Sequence, residues 1–315
     1  MKKYLILSVV ALSYQSVWAQ SLLQHSFGSG ANQFTMDFVT IGNPGNAADT
    51  TGIPNPVGSV AYSYNIGKYE VSRDQITKAN SAGSLGITLW DMSSWGGNGV
   101  NRPATGLTWN EAAKFVNWLN TNQGFQAAYK FDGSGNFQLW SSTDAGYNAN
   151  NMFRNSLAKY VIASRDEWYK AAYSSPDGTW YNFANGRNSS PDAVTSGTAD
   201  NTAVFGGVNT GSRFTADIDQ AGGVSPWGTM AQDGNVWEWH ETASDGINNT
   251  AGETGELRGG WAYDAGGQGV YSKIAMGPTS DSVWSGLRVA SVPEPSALSL
   301  LAIGLGGLAL IRRRK

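Results

Sequence analysis

The chain has 315 residues, with 24 acidic against 21 basic side chains, 40 glycines, 13 tryptophans and no cysteine. Lacking cysteine, it can have neither a disulfide framework nor thiol chemistry. Six basic residues (Lys2, Lys3, Arg312, Arg313, Arg314 and Lys315) lie at the two ends and, with Glu294 in the tail also set aside, leave 15 basic against 23 acidic side chains in the body, a balance that argues against nucleic-acid binding.

Met1 to Ala19 reads as a secretory signal: Lys2-Lys3, an apolar run from Leu5 to Leu12, then Val17-Trp18-Ala19 before a cleavage point. The body, residues 20–291, is long enough for one domain with a sizeable core. Its glycine content, near twice the usual ~7%, and its many rings predict a loop-rich fold packed with large aromatics. Phe34 to Ile41 and Ala61 to Tyr69 alternate as strands, separated by a Gly/Pro/Asn-rich loop from Gly42 to Gly58. Three pairs have capping-box spacing and predict helix starts: Ser72 with Gln75, Thr108 with Glu111, and Ser164 with Glu167. The second helix is the best formed. It sets Trp109, Ala112, Ala113, Val116 and Leu119 on one face and can stop at Gly124. Ser174 to Ser225 reads as ordered surface loop, because Trp180, Tyr181, Phe183, Phe205 and Phe214 recur through it.

The densest stretch follows, Gly234-Asn235-Val236-Trp237-Glu238-Trp239. Gly234 and Asn235 suit a tight turn. The next residues suit a strand with Trp237 and Trp239 facing the core and Val236, Glu238 and His240 facing outward. Leu257 to Trp261 and Ser285 to Ala290 are the expected closing strands. The C-terminal segment, residues 292–315, runs Val292-Pro293-Glu294-Pro295, an apolar stretch over 297–311, then Arg312-Arg313-Arg314-Lys315. Fifteen residues at about 1.5 Å each span roughly 22 Å, short of a ~30 Å hydrocarbon core. The terminal basic cluster places this end on the cytoplasmic side and the body outside. The order of these features resembles the PEP-CTERM sorting signal of Gram-negative, exopolysaccharide-producing bacteria. That resemblance implies export across the inner membrane, transient anchoring through 297–311, and removal of the tail by an exosortase-type peptidase, with the body at the cell surface or in the matrix.

Gly234 to Trp239 resembles the signature of the formylglycine-generating-enzyme, or sulfatase-modifying-factor, family. Further segments stand in that family's order: Ile66 to Ser72, Arg102 to Trp109, Ala163 to Trp168, Arg258-Gly259-Gly260, and Gly286-Leu287-Arg288-Val289. Together they cover roughly residues 34–290. The resemblance implies an α+β fold, irregular and loop-rich, related to C-type lectins.

It also implies an activity that this chain cannot perform. The family enzyme oxidises a sulfatase cysteine to formylglycine with copper held by two cysteines, whose places here are Asp264 and Gly269 by simple offset. Copper(I) prefers soft thiolates, which neither residue supplies. The iron-dependent branch of the fold needs several histidines, and this chain has only His25 and His240. A Glu238–His240 metal pair is a weaker reading than a solvated edge. No catalytic residue is assigned. The resemblance does leave a calcium expectation, with the Gly234 and Val236 carbonyls and the Glu238 carboxylate as ligands. Ala231 stands where the family has a further polar ligand, and Asp233 is the residue able to compensate. Asp217 and Asp219 form a second, weaker oxygen cluster. The expected function is a non-catalytic binding module, with exopolysaccharide or surface glycans as the candidate ligand. The alternative is a divergent enzyme acting through non-thiol residues.

Overall fold

The computed structural model describes residues 22–207, 214–266 and 269–293. The expected signal segment and the apolar tail lie outside these residues. Among the described residues no helix is long and apolar enough to cross a membrane.

All three capping boxes form. In α1 (Arg73–Gly83), α2 (Trp109–Asn122) and α3 (Arg165–Tyr173), the hydroxyls of Ser72, Thr108 and Ser164 accept from the third-residue amide, and the Gln or Glu side chain there accepts from the cap amide in return. Each cap contributes about 1 kcal/mol. Such contacts are local, so sequence spacing locates them well.

The strands gather into two main sheets. Those of the first are β1 (Leu23–Phe27), β2 (Phe34–Ile41), β3 (Tyr64–Gly67), β6 (Tyr160–Ile162) and β13 (Val289–Ser291), in the order β1-β2-β3-β13-β6. Between β3 and β6 in the chain lies a short hairpin, β4 (Lys130–Phe131) with β5 (Phe137–Gln138), and after α3 come β7 (Asp192–Ala193) and β8 (Thr202–Ala203), paired in parallel. The second main sheet holds β9 (Trp237–Ala243), β10 (Gly255–Arg258), β11 (Ile274–Met276) and β12 (Ser285–Leu287), in the order β11-β10-β9-β12. Three short helices and several small sheets joined by long loops make this an irregular α+β fold.

Two expectations about strands need correction. The segment Ser285 to Ala290 is two strands: β12 runs parallel to β9, while β13 runs antiparallel to β3 and β6 in the other sheet. The residue between them, Arg288, is fully buried and turns its side chain to join the sheets. The outward face expected on the signature strand is also absent, because β9 is interior to its sheet and buried on both sides. Trp239 donates Nε1–H to the Leu107 carbonyl at 2.7 Å, and on the other face Trp168 of α3 packs 5.2 Å from the His240 ring.

Glu238 therefore faces protein. Its Oε1 accepts from Arg288 Nη2 at 2.6 Å, and its Oε2 accepts from Arg288 Nε at 2.9 Å and Trp168 Nε1 at 2.6 Å. The remaining guanidinium hydrogens go to the carbonyls of Gly67, Lys68 and Met230, at 2.7–2.9 Å. A buried pair satisfied this completely holds its place, but removal of one member leaves a bare charge. Glu238→Gln or Arg288→Met is expected to cost about 3–5 kcal/mol each. The double variant should cost less than the sum of the two. Urea denaturation of the folded body checks this, and additive losses would rule the pairing energy out.

Candidate functional site

The signature loop is built by close approach. A Cβ on Gly234 would stand 2.2 Å from the Val204 carbonyl oxygen, so only glycine fits. Asn235 takes the left-handed region at φ 64°, as its residue type suggests. Its side-chain amide donates to Glu70, whose other oxygen accepts the Val236 amide at 3.2 Å. Burial, followed by the neighbouring Glu238 charge, pushes the Glu70 carboxyl well above the usual range.

The residues expected to hold calcium fit that ion poorly. Gly234, Val236 and Glu238 are all buried, and every carboxylate oxygen of Glu238 already receives a cationic or indole donor. Calcium takes six to eight oxygens and is repelled by a guanidinium. Asp233 offers no replacement in place: its Oδ2 accepts the Ala184 amide at 2.7 Å, and burial pushes its carboxyl up to about 8. Asp217 pairs with Arg102 at 3.3 Å, a half-exposed surface contact. His240 is fully buried, not solvated, and its Nδ1 lies 3.8 Å from Glu256. Burial lowers its pKa to about 4, so it is neutral at physiological pH.

The two positions expected by simple offset to stand in place of the family's cysteines, Asp264 and Gly269, make structural contacts. Asp264 accepts the Trp261 amide at 2.9 Å and so closes the turn after β10. Gly269 packs where a Cβ would stand 2.2 Å from the Asn182 carbonyl oxygen.

That turn presents rings. Trp261 packs on Trp284 at 4.7 Å between centroids, on Tyr263 at 5.4 Å and on Trp95 at 5.7 Å. None of these four rings is fully buried. Trp90 is 43% exposed and donates Nε1–H to Asp281 at 2.8 Å, three residues before Trp284. Gly106, at φ +81°, runs directly beneath the Trp90 ring, where a Cβ would come within 1.9 Å of it. Phe214, 48% exposed, lies beside Gly96 on the Trp95 loop. Three loops thus converge on one aromatic face. Sequence reasoning missed it. Its signal was tryptophan within Gly/Ser/Asp stretches, at Trp90-Asp91 and Trp95-Gly96-Gly97, outside any strand or helix pattern.

A second buried pair ties β10 to the segments around Ile53 and Val270. Arg258 bonds Glu256 at 2.7 Å and the Val270 carbonyl at 3.2 Å, and also reaches the Ile53 carbonyl. Two small, partly open cavities, one beside Trp109 and Phe153 and one beside Asp233, each hold about 10 Å³, room for a single water. They suit no organic substrate.

Burial opposes ionisation of Glu256, but His240 and Arg258 outweigh it and hold the carboxyl down at about 2. A depressed carboxyl stabilises above its unfolded value of roughly 4.3 and loses that contribution as pH falls through 2. Glu256→Gln should therefore lower the melting temperature at pH 7 and leave it near that of the unaltered protein at pH 2. A second expectation concerns metal. The stability lost in Glu238→Gln should be the same in excess calcium as in chelator. A loss confined to the calcium sample would restore the ion.

Comparison with known proteins agrees with this architecture. The sulfatase-modifying factor enzyme 1-like domain matches residues 31–292. A PEP-CTERM protein-sorting motif matches residues 291–315, which implies processing by exosortase-type machinery and export to the Gram-negative cell envelope. No curated protein matches the chain. Among solved structures it is similar to Treponema denticola variable protein 1, with 20% identity, TM-score 0.58, and coverage of 86% of this chain and 99% of that one. It is also similar to CarF, with 18% identity, TM-score 0.61, and coverage of 82% and 98%. PvdO from Pseudomonas aeruginosa gives 15% identity, TM-score 0.50, and coverage of 85% and 98%. At these identities the likeness concerns the fold.

Proposed function

Because the chain belongs to the sulfatase-modifying factor enzyme 1-like domain family and ends in a PEP-CTERM motif, we propose that it is an exported, non-catalytic glycan-binding module sorted to the cell surface or matrix. The observation that carries this reading is the aromatic face of Trp90, Trp95, Trp261, Tyr263 and Trp284. Partly exposed rings at 4.7–5.7 Å spacing, tilted to one another by 35–57°, offer a ridged apolar surface with polar edges. Pyranose rings have apolar faces that such a platform can cover, while their hydroxyls reach the surrounding Ser, Asn and Asp side chains. Exposed apolar surface of this kind marks an interaction site more often than an accident of folding.

Exopolysaccharide is the natural candidate, because the sorting motif sends the body to the envelope. The apolar tail over 297–311 would hold the body at the membrane until the exosortase-type peptidase removes it. Calcium is not required by this mechanism, since Glu238 is occupied by Arg288 and Trp168. The thiolates that would hold copper in the family's manner are missing from a chain without cysteine.

The test is a binding assay on the producer's exopolysaccharide and a glycan panel, with and without chelator. Binding is expected in both conditions. Trp261→Ala and Trp90→Ala, checked for native circular dichroism, should each weaken it about tenfold or more, as loss of a central aromatic anchor does. Absence of binding to every glycan in both conditions would sink the proposal.

A further inference from the structure

The rim of the aromatic face is charged, and its charge is fixed in place. Asp281 holds one oxygen against Trp90 Nε1 at 2.8 Å, and it is exposed. Asp91, the residue after Trp90, is also exposed. Its Oδ1 accepts from the Ser93 amide at 3.0 Å, the Ser93 hydroxyl at 2.6 Å and the Asn98 side chain at 2.7 Å. Those hydrogen bonds hold its carboxyl down at about 2, so it is ionised throughout the physiological range.

The contacts close into a ring. Trp90 bonds Asp281, whose loop carries Trp284; Trp284 packs on Trp261, and Trp261 packs on Trp95, whose loop returns to Asp91. One carboxylate therefore bonds an exposed indole and a second follows that indole in the chain, each anchored through one oxygen to the protein. Arg73 stands near Asp91 and offsets part of this charge. Arg102 is already paired with Asp217 at 3.3 Å. The balance at the rim remains negative.

An indole face beside two carboxylates attracts an ammonium group by cation–π and charge attraction together. We infer that the ligand of this face is a glycan carrying free amino groups, with its sugar rings on the Trp261 platform and its amines at Asp91 and Asp281. This deepens the glycan-binding reading and rests on it. An acidic polysaccharide would meet like charge at the same rim.

The probes are glucosamine oligomers, their N-acetylated counterparts of equal length, and uronic-acid oligomers. Affinity is measured by calorimetry at low and high salt. Exposed charge pairs are individually weak, and two of them acting together should make the amine oligomer bind about tenfold tighter than the N-acetylated one at low salt. Salt should shrink that preference. In Asp91→Asn/Asp281→Asn, which keeps an acceptor for Trp90, the two oligomers should bind alike. Equal binding by the unaltered protein, or tighter binding of the uronic-acid oligomer, overturns the amine assignment and leaves the glycan reading standing. No binding to any oligomer, or binding that survives Trp261→Ala, overturns both.

Discussion

The Arg288–Glu238 pair is the contact on which the two sheets depend. Arg288 sits between β12 and β13, where the chain leaves one sheet for the other, and Glu238 lies on the central strand of the smaller sheet. The guanidinium also takes carbonyls from residues 67, 68 and 230. One cation thus ties together the end of β3, the loop before the signature and the signature strand itself. Trp168 brings α3 to the same carboxylate. In a fold with little regular structure, this network stands in for the broad helix-on-sheet packing that fixes larger domains. Its buried charge requires every donor and acceptor to be matched, and here each one is.

A comparable economy governs the second charged cluster. Arg154 divides its guanidinium between Glu241 at 2.7 Å and Glu167 at 3.0 Å, and Glu167 is also the capping residue of α3. Helix start, strand end and the loop bearing Arg154 are therefore one unit. Asp264 closes the turn that lifts Trp261 to the surface.

What could be read in the sequence follows how far each contact reaches along the chain. The capping boxes at Ser72, Thr108 and Ser164 were legible because three residues decide them. The strand Phe34–Ile41 was legible because its alternation is strong. The environment of Glu238 was not. Alternation tells which side chains share a face, but what covers that face arrives from Trp168, 70 residues earlier, and Arg288, 50 residues later. The split of Ser285 to Ala290 was hidden for the same reason, since six residues that read as one short strand give no sign that the chain changes sheets at a buried arginine. The aromatic face was visible only as composition. Convergence of the Trp90, Trp261 and Trp284 loops is a property of tertiary structure.

The position of the last strand has a consequence for how the molecule is assembled in time. β13 lies inside the larger sheet, between β3 and β6, and Val292 is still bonded to the Lys159 carbonyl at 2.9 Å. A chain that emerges from its N-terminus exposes the inner edges of β3 and β6 throughout, with nothing to pair them until the final residues of the body appear. Arg288 arrives in the same few residues, so Glu238 also waits uncompensated. Unpaired edges and late, non-local closure favour slow folding and mispairing. The larger sheet can close only once the segment through Val292 has been delivered, which makes its completion wait on the residues farthest along the described body.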